Sequence, residues 1–198
     1  MIAIVDYGMG NLRSVQKGFE KIGAEAIISR DPAQIKDSEK VVLPGVGAFP
    51  ECMKNLANFG LIDPIIDFIK SDRPFLGICL GLQLLFDESE EFGLHSGLKV
   101  IPGKVKAFDR NMGLKIPHMG WNQVNFKKDV PIFMNIPDGA RFYFVHSYYV
   151  DPSDKEDIAA TTNYGIEFTC EISRGNLYSL LFHPEKSQDN GLKILSNF

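Results

Sequence analysis

Apolar positions in the first eighty residues follow two alternating patterns. Ile2 to Val5 is an unbroken apolar run, and after a turn containing Gly8 and Gly10 the residues Leu12, Val15, Phe19 and Ile22 recur at helical spacing. A short continuous run followed by a 3.6-residue period predicts a buried strand and then an amphipathic helix. Glu25 to Ser29 and Val41 to Leu43 read as further strands, with Pro32 to Ile35 between them compatible with helix or loop. Leu61 to Ile69 has helical spacing, and Pro74 to Ile78 is again strand-like. Strands that alternate with helices imply a parallel sheet covered by helices. From about Lys104 the pattern changes. Phe142 to Val150, Ile166 to Ile172 and Leu177 to Phe182 are strand-like runs separated by Asn, Gly, Asp and Pro, and a helix is expected over roughly Asn190 to Phe198. The expected fold class is α/β: a mostly parallel central sheet flanked by helices, with added β structure in the C-terminal half. No internal repeat, low-complexity segment or linker divides the chain, so residues 1–198 are expected to form one domain.

Composition narrows the class of partner. The 198 residues are 44% hydrophobic and 23% charged, values that suit a soluble domain with a buried core. Lys and Arg number 21 against 25 Asp and Glu, a net charge of -4 with no basic block, which argues against a nucleic-acid partner. The N-terminal apolar run ends at Asp6 with no basic residues before it, unlike a signal peptide, and nothing approaches the roughly 18 consecutive apolar residues of a spanning helix. A cytoplasmic protein without a membrane home is expected. Cys52, Cys79 and Cys170 are widely spaced and odd in number, which fits neither a disulfide framework nor a zinc site.

One of the three stands apart. Cys79 lies between the Pro74 to Ile78 strand and the apolar stretch that follows it, with Gly77 and Gly81 two residues to either side. A nucleophile on a sharp strand-to-helix turn needs small neighbours, because its backbone is strained and other chain segments pass close by. Backbone N–H groups at the start of the following helix favour a thiolate and can hold a developing oxyanion. The alternative is a buried cysteine in an apolar strand, a common fate of that residue and the one expected for Cys52 and Cys170.

A cysteine nucleophile needs a base. Of His95, His118, His146 and His183, only His183 follows an apolar strand and has a carboxylate nearby, Glu185, which extended geometry across Pro184 would bring to the same side. Glu185 would then orient the imidazole and stabilise its charged form. A surface ion pair at a strand end is the alternative. His146, in the apolar Phe142 to Tyr149 run, reads as a buried histidine, and His95 as a solvated one. Two glycine loops remain. Tyr7 to Asn11 follows the first strand but has Arg13 where a dinucleotide fingerprint requires its third glycine. Leu43 to Phe49 follows the third strand at the same sheet edge as Cys79, where its N–H groups would complete an oxyanion hole. No metal is expected, since His183 and Glu185 have no third ligand at a recognisable spacing.

Taken together, Pro44-Gly-Val-Gly47, Gly77-Ile-Cys79-Leu-Gly81-Leu-Gln83 and His183-Pro-Glu185 resemble the three signatures of the class I (triad) glutamine amidotransferases. Asp6 to Ser14, Pro117 to Asn122 and His183 to Ser187 narrow the resemblance to the glutaminase subunits of imidazole glycerol phosphate synthases, and it spans the chain from Met1 to the last helix. The resemblance implies the class I glutamine amidotransferase fold, no cofactor, and a triad of Cys79, His183 and Glu185 that hydrolyses glutamine to glutamate and ammonia. It implies an oxyanion hole from Leu80 N–H and a backbone N–H at Val46 or Gly47. Glutamine contacts would come from Gly47, Gln83 and the backbone near Ser147 and Tyr148. It also implies a heterodimer with a TIM-barrel cyclase subunit that receives the ammonia, with Asn11, His118, Met119, Trp121 and Lys186 facing the partner. Low activity alone and activation by the loaded partner follow, with a peptide flip in the Gly45 to Gly47 loop as a natural switch.

Other readings share parts of this pattern. A related glutaminase that feeds a surface-sugar amidotransferase would carry the same triad, and a pyridoxal-phosphate-synthase glutaminase matches the Pro44 and Pro117 motifs less well. A cysteine hydrolase or peptidase would use the same elbow on a peptide or ester, and a non-enzymatic module would leave Cys79 packed and inert.

Overall fold

The structure is a computed structural model that describes residues 1–198 except the side chain of Arg110. The first part of the chain runs β1 (Ile2–Val5), α1 (Leu12–Lys21), β2 (Ala26–Ser29), α2 (Pro32–Asp37), β3 (Lys40–Gly45), α3 (Phe49–Asn58), α4 (Ile62–Lys70), β4 (Phe75–Cys79) and α5 (Leu80–Leu84). There follow β5 (Phe86–Ser89), β6 (His95–Ser96), β7 (Ile101–Ala107), β8 (His118–Gln123), β9 (Asn125–Phe126), β10 (Arg141–His146) and β11 (Tyr148–Pro152). The chain ends in β12 (Ile158–Tyr164), β13 (Ile166–Arg174), β14 (Leu177–Leu180) and α6 (Gln188–Asn197).

Strands β2, β1, β3, β4 and β14 lie side by side and pair in parallel. The near-continuous apolar sequences of β1, β3, β4 and β14 are buried apart from Lys40, as strands covered on both faces require, while Ile27 and Ile28 of the edge strand β2 are half-buried. From β14 the sheet continues through antiparallel β13, β11 and β7 to β5 and the edge strand β6, while β12 adds to β13 and carries β9. A separate antiparallel pair, β8 with β10, stands beside this sheet. Helix α1 packs against α6, α2 against α4 and α3 against α5, and α5 lies on β3, β4 and β14. Among the described residues no helix is long and apolar enough to cross a membrane.

The alternating first half and β-rich second half agree with the sequence pattern. The pattern reading leaves out strands β5, β6, β8, β9 and β12, and also helix α3, although Phe49, Cys52 and Leu56 recur there at helical spacing around Pro50 and are all buried. The Phe142 to Val150 run is two strands. The chain leaves the β8–β10 pair at Ser147 and joins the main sheet as β11, a change of sheet that leaves no mark in an apolar run.

Parallel order fixes where the loops gather. Gly45 at the end of β3 is in register with Cys79 at the end of β4, and Ile78 with Leu180 at the end of β14. The loop after β3, the cysteine after β4 and the segment that leads to His183 therefore emerge at one edge.

Candidate active site

Cys79 has φ 55° and ψ -109°, a left-handed conformation that side chains rarely adopt, at the junction of β4 and α5. Close packing holds it there. A Cβ on Gly77 would run into Ser179 Oγ, and one on Gly81 would run into the Leu43 carbonyl oxygen. Helix α5 thus rests directly on the backbone of β3. The Cys79 Sγ lies 3.8 Å from the Val145 carbonyl.

His183 is gripped from β10. Its N–H donates to Tyr143 O at 2.9 Å, while Ser187 Oγ accepts from Tyr143 N–H at 2.9 Å and donates to His183 O at 2.6 Å. The segment beyond it is not extended, contrary to the expectation from sequence. Pro184 opens a 3-10 turn over Pro184–Lys186, for which its fixed φ is suited, and that turn folds Glu185 back onto the histidine. Nδ1 of His183 then lies 2.8 Å from Glu185 Oε1, with both side chains almost fully enclosed. The carboxylate accepts the Nδ1 proton, and Nε2 is left without a hydrogen-bond partner among the described residues. Burial opposes charging of this ring, but an ionised Cys79 sulfur and then Glu185 outweigh it, so His183 is raised from 6.5 to about 10.

These groups share a cavity of about 330 Å³, lined by Val46, Gly47, Cys79, Leu80, Gln83, Ser147, Tyr148 and His183, with Glu91, Pro117, Val145 and His146 completing the wall. Gln83 Nε2 donates to Tyr148 O at 3.3 Å. The end of β3, the loop after it and the start of α3 are held at one point each: Tyr7 OH donates to Pro44 O at 2.8 Å, Cys52 Sγ to Val46 O at 3.7 Å, and Phe49 N–H donates to Glu91 Oε2 at 2.7 Å. Tyr7, Glu91 and Ser187 escape the sequence reading because their partners lie far along the chain or on its backbone. Cys52 and Cys170 are buried and neither lines the cavity, Cys52 lying behind the Val46 loop; burial raises Cys52 to about 11 and Cys170 well above its ordinary value.

Residues expected at a partner surface divide. Asn11, Met119, Trp121 and Lys186 are exposed, and Trp121 and Lys186 both approach the Tyr143 ring, with centroids 6.3 Å apart and Nζ 5.7 Å from the centroid respectively. His118 is the exception. Alternation along β8 points Met119 and Trp121 outward and turns His118 inward, where its ring stacks on Tyr164 and Phe144 and cannot face a partner. His95 lies half-exposed on the edge strand β6, outside the cavity.

A cysteine elbow, a carboxylate-held histidine and a mostly parallel sheet define a class. Residues 3–198 match the glutamine amidotransferase class-I family, and the chain belongs to it. Its relatives are more particular. It is 56% identical over 202 residues to imidazole glycerol phosphate synthase subunit HisH of Geobacter sulfurreducens, covering 100% of this chain and 97% of the relative. With the protein of the same name from Moorella thermoacetica the identity is 51%, covering 100% of this chain and 93% of that one. Among solved structures, PurLQS from Thermotoga maritima superposes with a TM-score of 0.75 over 99% of this chain and 95% of that one, at 16% identity that speaks for the fold alone.

Proposed function

We propose that this chain is the glutaminase subunit of an imidazole glycerol phosphate synthase, one domain over residues 1–198 that works in the cytoplasm and passes ammonia to a TIM-barrel cyclase subunit in histidine biosynthesis. The observation that carries the chemistry is the enclosed His183–Glu185 pair on the cavity that also holds Cys79. The full-length likeness to HisH subunits supports the pathway and the partner.

The reaction follows from the charges. An ionised Cys79 sulfur opposite a protonated His183 attacks the side-chain carbonyl carbon of glutamine. The Gly47 and Leu80 N–H groups receive the oxygen as it gains charge. His183 gives its Nε2 proton to the departing nitrogen, which leaves as ammonia and a thioester on Cys79. The thioester has no charge on sulfur, so the strongest influence raising His183 is gone. The neutral ring then takes a proton from water, which attacks the thioester and releases glutamate. Gly47, Gln83 and the Ser147–Tyr148 backbone hold the substrate, and Asn11, Met119, Trp121 and Lys186 face the cyclase.

The test is glutamate release from glutamine by the purified chain, alone and with the cyclase subunit of the same genome plus its phosphoribosyl substrate. Strong stimulation that disappears in C79A is the expected result. Cysteine-dependent release indifferent to the cyclase would assign another synthase partner.

A further inference from the structure

Four polar groups run in line from the glutamine cavity to the outer strand β8. His146 Nδ1 lies 2.8 Å from Tyr148 O, His146 Nε2 lies 2.8 Å from His118 Nδ1, and His118 Nε2 lies 3.2 Å from Asn122 Nδ2. A backbone carbonyl only accepts, so His146 carries its proton on Nδ1 and its Nε2 is an acceptor. His118 must then donate from Nδ1, which makes its own Nε2 an acceptor for Asn122. The far end fixes the same direction independently. Asn122 Nδ2 also donates 2.8 Å to Asn163 O, and Asn122 Oδ1 accepts from Gln123 N–H at 2.8 Å, so the amide cannot be turned round.

Every hydrogen bond in the row therefore points inward and ends on the Tyr148 carbonyl, to which Gln83 also donates. Chains of this kind strengthen cooperatively where water is excluded. Both rings are buried, and burial keeps them neutral, with His118 lowered to about 4 and His146 to about 3. Asn122 sits between Trp121, exposed beside it, and Gln123, on a strand whose outward side chains leave the protein surface.

We infer that Asn122, His118 and His146 are positioning residues for the glutaminase reaction: a one-way hydrogen-bond relay that holds the Tyr148 carbonyl in place for glutamine and ties it to the β8 surface. This rests on the glutaminase reading, whereas the direction of the relay does not. Anything that moves β8 changes how firmly Tyr148 is held, and so the affinity for glutamine more than the rate of bond cleavage.

Long-range ¹H–¹⁵N correlation spectra of histidine-labelled protein read the tautomers directly. At pH 7 both His118 and His146 are expected in the Nδ1–H form, the minor form of a free imidazole. Asn122→Asp keeps the shape but replaces the donor with an acceptor. It is expected to draw a proton onto His118 Nε2 and to raise the glutamine KM about tenfold, the loss of roughly one buried hydrogen bond. The kcat with the cyclase partner present should stay within about twofold, since neither Cys79 nor His183 is touched. His118→Phe, which keeps the ring stack, should raise KM in the same way. Either ring in the Nε2–H form, or an active wild type whose KM is unchanged in both variants, overturns the relay. A wild-type chain that keeps both Nδ1–H rings but does not hydrolyse glutamine overturns the glutaminase reading, and the relay's role toward substrate with it.

Discussion

Glu185 Oε1 and His183 Nδ1 stand 2.8 Å apart in a turn closed to solvent. The carboxylate decides which ring nitrogen bears the proton and balances the ring's charge once Nε2 is protonated as well. Glu185→Gln keeps the shape and removes the charge. The variant should fold normally and lose about 10²- to 10⁴-fold in kcat for glutamate release. Steady-state kinetics with the cyclase partner checks this; a defect confined to KM would deny Glu185 its role.

Gly77 and Ser179 face each other across β4 and β14, in register. A methyl at Gly77 meets Ser179 Oγ, so G77A should destabilise the chain by about 1–3 kcal/mol. Removing the hydroxyl with S179A in the same chain should restore part of that loss, because Ser179 Oγ is the most severe contact and the Gly81 backbone, 3.1 Å from such a methyl, remains. Urea unfolding of the two single variants and the double variant measures the coupling.

Acid should weaken the fold through His118 and His146. Their folded values lie near 4 and 3, below 6.5 for a free ring, so between these values the unfolded chain binds more protons than the folded one. Their contribution is whole above pH 6.5 and drains away as pH falls toward 4 and 3, with a slope of up to about 2.7 kcal/mol per pH unit for the two together. Urea midpoints from pH 7 to pH 5 report it as the difference from H118F, in which about half of this slope should vanish.

Thiol chemistry should single out Cys79. Cys52 and Cys170 are raised by burial and do not line the cavity. At pH 7.5 a glutamine-like electrophile is expected to add one label to the native chain. Mass spectrometry of the digested product should place it on Cys79, with the other two labelled only after unfolding. A second label on the native chain would contradict this.

The parallel half of the sheet can be read from the sequence because buried parallel strands are continuous apolar runs, and the strand-to-helix turn at Cys79 because its glycines are local. His183 and Glu185 are recognisable as neighbours, but the 3-10 turn that joins them is not, since Pro184 permits both an extended chain and a helical start. Tyr7, Glu91 and Ser187 act through hydrogen bonds to backbone atoms of distant segments, and such bonds impose no pattern on nearby residues. His118 lies in a polar, glycine-containing stretch that gives little sign of burial. Its inward direction depends on the pairing of β8 with β10.

The position of β14 has a consequence in time. It is the last strand along the chain, yet it lies between β4 and β13 in the body of the sheet. While a ribosome is still adding residues before Leu177, β4 has no neighbour on that side and Cys79 has no imidazole opposite it. Domains take shape from the N-terminus as they are made, and strand pairs between distant segments close late. The thiol is therefore made early and armed at the end: the docking that completes the sheet also delivers the base, so a partly made chain is poorly equipped to spend glutamine.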